Sequence, residues 1–263
     1  MKRFSLLVFA VLWIEGNLWA GELNLQQIFE RKEGCFILYD LQSSTAVIKY
    51  NPGFCAQRHS PSSTFKIPIA LMAFDQHMLG DENAVIKWDG IDRKVSRWNQ
   101  DQTPVTWLRY SVVWVSRWIT PQIGREQIKR YLSDFRYGNQ DMSGGIDRAW
   151  LSSTLKISAE EQVEFLARFW RGKLGAAAQA IELTKKCLPY RKLESGSVLR
   201  GKTGSGFLGD GRKIGWFAGY LKKDGQQYVF VTNFSDAGRA DDPKSGGERA
   251  KAMTELILSG LGL

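Results

Sequence analysis

Ser197-Val198-Leu199-Arg200-Gly201-Lys202-Thr203, Ile214-Gly215-Trp216-Phe217-Ala218-Gly219-Tyr220-Leu221 and Tyr228-Val229-Phe230-Val231-Thr232-Asn233-Phe234 are three strand-like runs late in the chain. Each mixes β-branched and aromatic residues, the composition that suits a pleated surface. Two similar runs stand near the start, Cys35–Leu41 and Thr45–Tyr50, with Gln42-Ser43-Ser44 as a turn between them. The sequence between these ends reads as helix. Ser63–Met78 is one pattern, with Pro68 tolerated near its start. Pro104–Ile119 is a second, with Thr103 as N-cap, Pro104 at the first helical position and Pro121 just past its end. Thr120-Pro121 repeats that start signal for a helix to about Leu132. Ser158-Ala159-Glu160-Glu161 is a capping box that opens Ala159–Arg171. An Ala-rich helix over Leu174–Cys187 follows, and a last helix runs from Gly247 to Leu258 with Gly260 as its stop. Strands at both ends with helices between them argue against a doubly wound sheet. The simplest closure is an α/β chain of the α+β type: one antiparallel sheet built from both chain ends, flanked by helices, plus an all-helical lobe. The cleft between lobe and sheet is where a pocket is expected.

The bulk numbers agree with a packed protein. The chain has 263 residues, 43% hydrophobic and 12% aromatic, which excludes a disordered, collagen-like or coiled-coil chain. The net charge is +9, but basic residues are scattered among acidic ones and no nucleic-acid motif is present, so a soluble basic surface is expected. Three cysteines without a C-x-x-C pair, and only His59 and His77, support no zinc site. No apolar run is long enough to span a membrane. Lys2 and Arg3 precede an apolar stretch, Phe4–Ile14, and Leu18-Trp19-Ala20 resembles a cleavage site. Residues 1–20 are therefore expected to be a signal peptide, residues 21–263 a single exported domain, and the destination the periplasm. In an oxidising compartment Cys35 and Cys55 can bridge, leaving Cys187 over; the sequence does not fix whether they do.

Three short elements carry chemistry. Ser63-Thr64-Phe65-Lys66 is an S-x-x-K at a helix start, and its spacing puts the hydroxyl and the amine on one face. A serine hydroxyl needs an adjacent base, and an ordinary lysine is too fully charged to be one. Burial favours the neutral amine, and Phe65, Ile67 and Ile69 are apolar neighbours. A second copy, Ser153-Thr154-Leu155-Lys156, precedes a capping box and is expected in a loop. Lys202-Thr203-Gly204 ends an extended run, with Gly204 and Gly206 allowing close backbone approach. Its decoy, Lys244-Ser245-Gly246, sits in polar loop sequence. Between the two lies Ser111-Val112-Val113, read as part of the helix from Pro104, where a serine can pass a proton. Singly these elements are weak. In the order S-x-x-K, S-x-V, K-T-G they are specific, with valine where penicillin-recognising enzymes of other classes carry asparagine.

With Tyr137-Gly138-Asn139 and Trp150-Leu151 added, the chain resembles the class D, oxacillinase-type serine β-lactamases over most of residues 21–263. The resemblance implies a CO2-derived carbamate on Lys66, with no metal and no other cofactor. Phe65, Val113, Trp150 and Leu151 would line its pocket, and the Trp150 indole would hydrogen-bond it. It further implies that Lys66, N-carboxylated, takes the Ser63 proton as Ser63 attacks the β-lactam carbonyl. Backbone N–H groups of Ser63 and Ser205, beside Gly204, would hold the oxyanion. Ser111 with Lys202 would relay a proton to the leaving nitrogen, and the same base would then activate water. Thr203 and Arg249 would bind the substrate carboxylate, with Arg239 and Lys251 as the other basic candidates. The partners are thus small β-lactams, and the outcome is antibiotic resistance. Two competing readings share these residues: a cell-wall transpeptidase or carboxypeptidase, and a β-lactam-sensing domain, each acylated but slow to turn over. A Ser-His-Asp hydrolase lacks a G-x-S-x-G and has only two histidines to draw on. A metallo-β-lactamase lacks ligands.

Overall fold

A computed structural model of the chain describes residues 23–236 and 244–263. The expected signal peptide, Arg239 and the Asp241-Asp242-Pro243 segment lie outside the described residues. Among the described residues six strands form one sheet: β1 (Glu33–Asp40), β2 (Thr45–Tyr50), β3 (Tyr190–Lys192), β4 (Val198–Phe207), β5 (Lys213–Lys223) and β6 (Gln226–Asp236). Their order is β2-β1-β6-β5-β4-β3, and every pairing is antiparallel. The N-terminal hairpin thus joins the C-terminal meander along β1 and β6, closing the sheet from both chain ends as expected. The helices are α1 (Leu25–Ile28), α2 (Pro52–Cys55), α3 (Lys66–Asp75), α4 (Pro104–Tyr110), α5 (Val113–Ile123), α6 (Arg125–Asp134), α7 (Ala159–Trp170), α8 (Ala178–Cys187) and α9 (Gly246–Gly260).

The central strands are buried on both faces, which is why they read as unbroken apolar runs rather than alternating ones. Cys35, Ile37, Trp216, Ala218, Val229 and Val231 face a large core shared with α3, α5 and α7. Phe36, Leu38, Phe217, Phe230 and Phe234 face a smaller core closed by Ala250, Ile257 and Leu258 of α9. Cys35 of β1 and Cys55 of α2 form a disulfide, and Cys187 is free and buried. Burial drives the Cys187 thiol up to about 12, so it stays protonated and unreactive. No helix of the described residues is long and apolar enough to cross a membrane.

Capping signals held where they were local. Thr103 caps α4 and Ser158 caps α7, each with its N3 partner reaching back. Helix ends set by tertiary contacts came out differently. The Pro104–Ile119 pattern is two helices, because Ser111 adopts a left-handed φ of 56° and Val112 is extended. Pro121 lies inside α5, since buried Ile119, Thr120 and Ile123 carry the helix past it. The break comes at Gly124, φ 84°, and α6 starts only at Arg125. Ala177 is held out of helical geometry with its N–H on Asp75 Oδ1 at 2.7 Å, so α8 starts at Ala178 rather than Leu174. At the C-terminal end α9 runs through Gly260, and the left-handed residue that follows is Gly262.

Candidate active site

The sequence from Ser62 to Asp75 is not one α-helix. Ser62–Phe65 is a 3₁₀ turn and α3 begins at Lys66. In 3₁₀ geometry the side chains at i and i+3 eclipse, whereas in an α-helix they are offset. The Lys66 amine therefore lies directly on Ser63, with Nζ donating to Oγ at 3.1 Å. Lys66 is 0% exposed, as is Phe65. The Phe65 ring meets Trp150 at 5.4 Å and Tyr137 at 5.3 Å between centroids, so an aromatic wall stands beside the lysine. Burial pushes the Lys66 amine well below the ordinary lysine range, and the nearby positive charge of Lys202 pushes it the same way. A neutral amine beside a serine hydroxyl is the condition nucleophilic catalysis requires.

The helix break at Ser111 puts its hydroxyl into the cleft. Three indoles brace that break: Trp98 Nε1 donates to Tyr110 O at 3.0 Å, Trp114 Nε1 to Trp98 O at 2.9 Å, and Trp107 Nε1 to Ser116 Oγ at 3.0 Å. Lys202 Nζ donates to Ser111 Oγ at 3.0 Å and to Thr203 O at 3.0 Å. Lys202 is 2% exposed, and burial alone lowers it to about 7. Of the S-x-V element, Val112 is fully buried, while Val113 opens α5 half-buried.

β3 pairs with β4 only as far as Arg200, so among the described residues Lys202–Phe207 is a sheet edge with no further strand beside it, running past the Ser62–Phe65 turn. Two glycines let it come close. A Cβ on Gly204 would lie 2.8 Å from Pro61 O, and one on Gly206 would lie 2.6 Å from Ser62 Oγ. The first turn of α9 closes on the other side, with Gly247 N donating to Ser205 Oγ at 2.8 Å. The decoy Lys244-Ser245-Gly246 is the α9 cap: Ser245 accepts from Glu248 N.

The segment 138–157 is pinned by residues the sequence reading assigned no such task. Asn139 takes Lys156 N on Oδ1 at 2.8 Å and gives Nδ2 to Thr154 O at 2.8 Å, locking the second S-x-x-K into a loop. Gly138 is left-handed, and a Cβ there would lie 2.0 Å from Lys156 O. Ser60 is the hub. Its Oγ donates to Trp150 O and accepts from Ser152 N, while its carbonyl accepts from Trp216 Nε1 at 2.9 Å. Only the finished fold brings Ser60, Trp150 and Trp216 together, and no spacing signals it. Trp150 is 0% exposed, and its Nε1 meets no hydrogen-bond partner among the described residues. Leu151 packs half-buried against the core.

The structure thus brings Ser63, Lys66, Ser111, Lys202 and Thr203 into one cleft, with Ser205 and Gly204 on its edge strand and Phe65 and Trp150 behind it. Arg249 sits in the first turn of α9, two residues past the Gly247 that meets Ser205. Its guanidinium lies on the Asp236 carboxylate and 4.9 Å from the centre of the Phe234 ring, toward β6.

The lysines carry a prediction of opposite signs. Lys202 keeps a proton up to about pH 7 when folded and up to about 10.5 when unfolded. Between those values the unfolded state binds more protons, so stability rises with pH there; below 7 the burial cost is present in full. Lys202→Met should therefore raise Tm at pH 7, by a margin that shrinks toward pH 10, while lowering turnover at least ~100-fold. A lower Tm at pH 7 in thermal melts would contradict the buried-amine account.

A serine and two buried lysines between an antiparallel sheet and a helical lobe define a penicillin-recognising acyl-transfer enzyme of the transpeptidase fold. The comparisons narrow this. The penicillin binding protein transpeptidase domain family matches residues 30–257. The chain is 41% identical over 244 residues to beta-lactamase OXA-1 of Escherichia coli, covering 90% of this chain and 87% of that one. The crystal structure of a class D beta-lactamase from Sebaldella termitidis matches with a TM-score of 0.85 at 31% identity, covering 92% of this chain and 96% of that one. A methicillin resistance mecR1 protein of Staphylococcus aureus is 34% identical over 93% of this chain but only 40% of its own length. The chain belongs to the class D β-lactamases, serine hydrolases of the transpeptidase family.

Proposed function

We propose that this protein hydrolyses penicillin-type β-lactams through a Ser63 acyl-enzyme with N-carboxylated Lys66 as general base, and so confers antibiotic resistance. The observation that carries the reading is the 3.1 Å contact between Ser63 Oγ and a fully buried, neutral-leaning Lys66 amine. The residues around Lys66 fit a carbamate. Only a neutral amine reacts with CO2, and the orphaned Trp150 Nε1 is a buried donor near Phe65 that needs an acceptor. When formed, the carbamate supplies a carboxylate-like base beside the serine.

The chain's own groups do the rest. Ser63 Oγ loses its proton toward the Lys66 side and attacks the lactam carbonyl, and the Ser63 and Ser205 N–H groups receive the oxyanion. Ser111, held by Lys202, passes a proton to the leaving nitrogen. Water then attacks the ester from the Lys66 side. Thr203 receives the substrate carboxylate together with Arg249, which Asp236 orients. Residues 1–20 are cleaved on export to the periplasm.

The test is turnover of benzylpenicillin and oxacillin by residues 21–263, with and without bicarbonate, with acyl-enzyme followed by intact mass. Many turnovers that rise with bicarbonate are expected. Stoichiometric acylation of Ser63 without turnover would make the protein a sensor or transpeptidase. No acylation would overturn the reading altogether.

A further inference from the structure

A cavity of about 110 Å³ opens beside the active cleft, at the point where β3 stops pairing with β4. Gly201 N donates to Pro189 O at 3.2 Å there, closing off the end of β3. Lys202 and Thr203 line the cavity. Arg109 from α4, Arg191 from β3 and Lys251 from α9 line it as well, and no carboxylate among the described residues does. The volume is several times the ~10–15 Å³ of such space that one water needs, so it admits a small charged group. Glu255 is an acid that reaches two of these cations. Both of its oxygens are taken by Arg191 Nη1 at 2.9 Å, and Lys251 Nζ reaches it only at 3.9 Å. The Arg109 guanidinium makes no hydrogen bond or ion pair among the described residues. Three lining cations therefore share one carboxylate, and Arg191 already holds it.

We propose that this cavity is a subsite for a second anionic group on the substrate, carried by the substituent next to the ring carboxylate. The proposal rests on the β-lactam reading above, because Thr203 in the lining is where that reading puts the carboxylate. A carboxylate bound at Thr203 points the neighbouring ring substituent along β4 toward β3, among the lining cations. A neutral substituent gains nothing there; a sulfonate or carboxylate gains charge-assisted contacts with Arg109 and Lys251. The subsite therefore selects dianionic over monoanionic substrates of the same shape.

Cefamandole and cefonicid test this directly. They share the acyl group, the cephem nucleus and the tetrazolylthiomethyl substituent, and differ by one sulfonate on the tetrazole methyl group. Each is measured as a competitor of benzylpenicillin turnover, so that slow cephalosporin turnover does not matter. Cefonicid is expected to compete about tenfold more tightly, as one partly exposed charge-assisted contact gives, with the preference narrowing as ionic strength rises. Arg109→Gln should cut that preference, and Arg109→Gln with Lys251→Gln should erase it. The ratio cancels any part Lys251 has in holding the carboxylate common to both compounds. Glu255→Gln, which removes the acid that engages Arg191 and Lys251, should widen the preference, an effect that damage to folding does not produce. Equal competition by the two compounds, or failure of both to compete while benzylpenicillin is hydrolysed normally, overturns the subsite alone. Failure of benzylpenicillin to acylate the protein overturns the β-lactam reading and the subsite with it.

Discussion

Replacing Ser63 with alanine is expected to abolish acylation and to lower benzylpenicillin hydrolysis by roughly four orders of magnitude or more, as loss of a catalytic nucleophile does elsewhere. The expectation follows from how little else in the cleft could attack a carbonyl. Ser111 Oγ already accepts from Lys202 and is aimed by the left-handed helix break. The other S-x-x-K serine, Ser153, lies in the loop that Asn139 and Gly138 pin in place, outside a helix start and away from a buried amine. Thr64 Oγ1 is committed to Pro61 O at 2.7 Å. Intact mass after exposure to benzylpenicillin reads the outcome: wild-type protein gains the acyl adduct and the variant does not. A variant within about tenfold of wild-type turnover would place the nucleophile elsewhere. The substitution also removes the hydroxyl on which the buried Lys66 amine rests, so the variant tests the pair rather than the serine alone.

What the sequence disclosed, and what it did not, divides by range. Thr103 with Pro104 and Ser158 with Glu161 act within a single turn, and both caps are where the residues place them. The strands follow from apolar runs that only a sheet buried on both faces can accommodate. The active-site elements are legible because each is a short string whose spacing is itself the geometry. Ser111 shows the limit. Nothing in Tyr110-Ser111-Val112 forces a break, and a helix through Ile119 is locally acceptable. The break exists because Lys202, ninety residues away in the fold's other half, and three tryptophan N–H groups hold it open. The same reason hides Ser60, whose partners Trp150 and Trp216 come from a distant loop and strand. Arg249 is legible as a cation in the first turn of α9, but its engagement with Asp236 depends on β6 and is not. The second cation of that helix, Lys251, lines the cavity beside Thr203. Residues two apart on a helix face nearly opposite sides, so one helix supplies both placements.

Lys66→Ala is expected to lower turnover about 1,000-fold or more and to leave the residual rate indifferent to bicarbonate. The two halves of that expectation have separate causes. Without the amine, Ser63 Oγ has no hydrogen-bonded base, which accounts for the rate. Without the amine there is also nothing in the pocket for CO2 to react with, which accounts for the lost response. Trp150→Phe separates the two. It keeps an aromatic ring against Phe65 but removes a buried indole N–H that lacks a partner among the described residues. If that N–H serves a carbamate on Lys66, the variant should need more bicarbonate for half-maximal activity and recover much of the wild-type rate when bicarbonate is saturating. A packing defect would lower Tm and leave the bicarbonate dependence where it was. A protein-bound carbamate resonance from ¹³C-bicarbonate gives a readout independent of turnover: present in wild type, weakened in Trp150→Phe and absent in Lys66→Ala. A resonance that persisted in Lys66→Ala would put the modification on another amine. Lys202 would then be the one to test, because it is the other fully buried lysine of the cleft and burial lowers it to about 7.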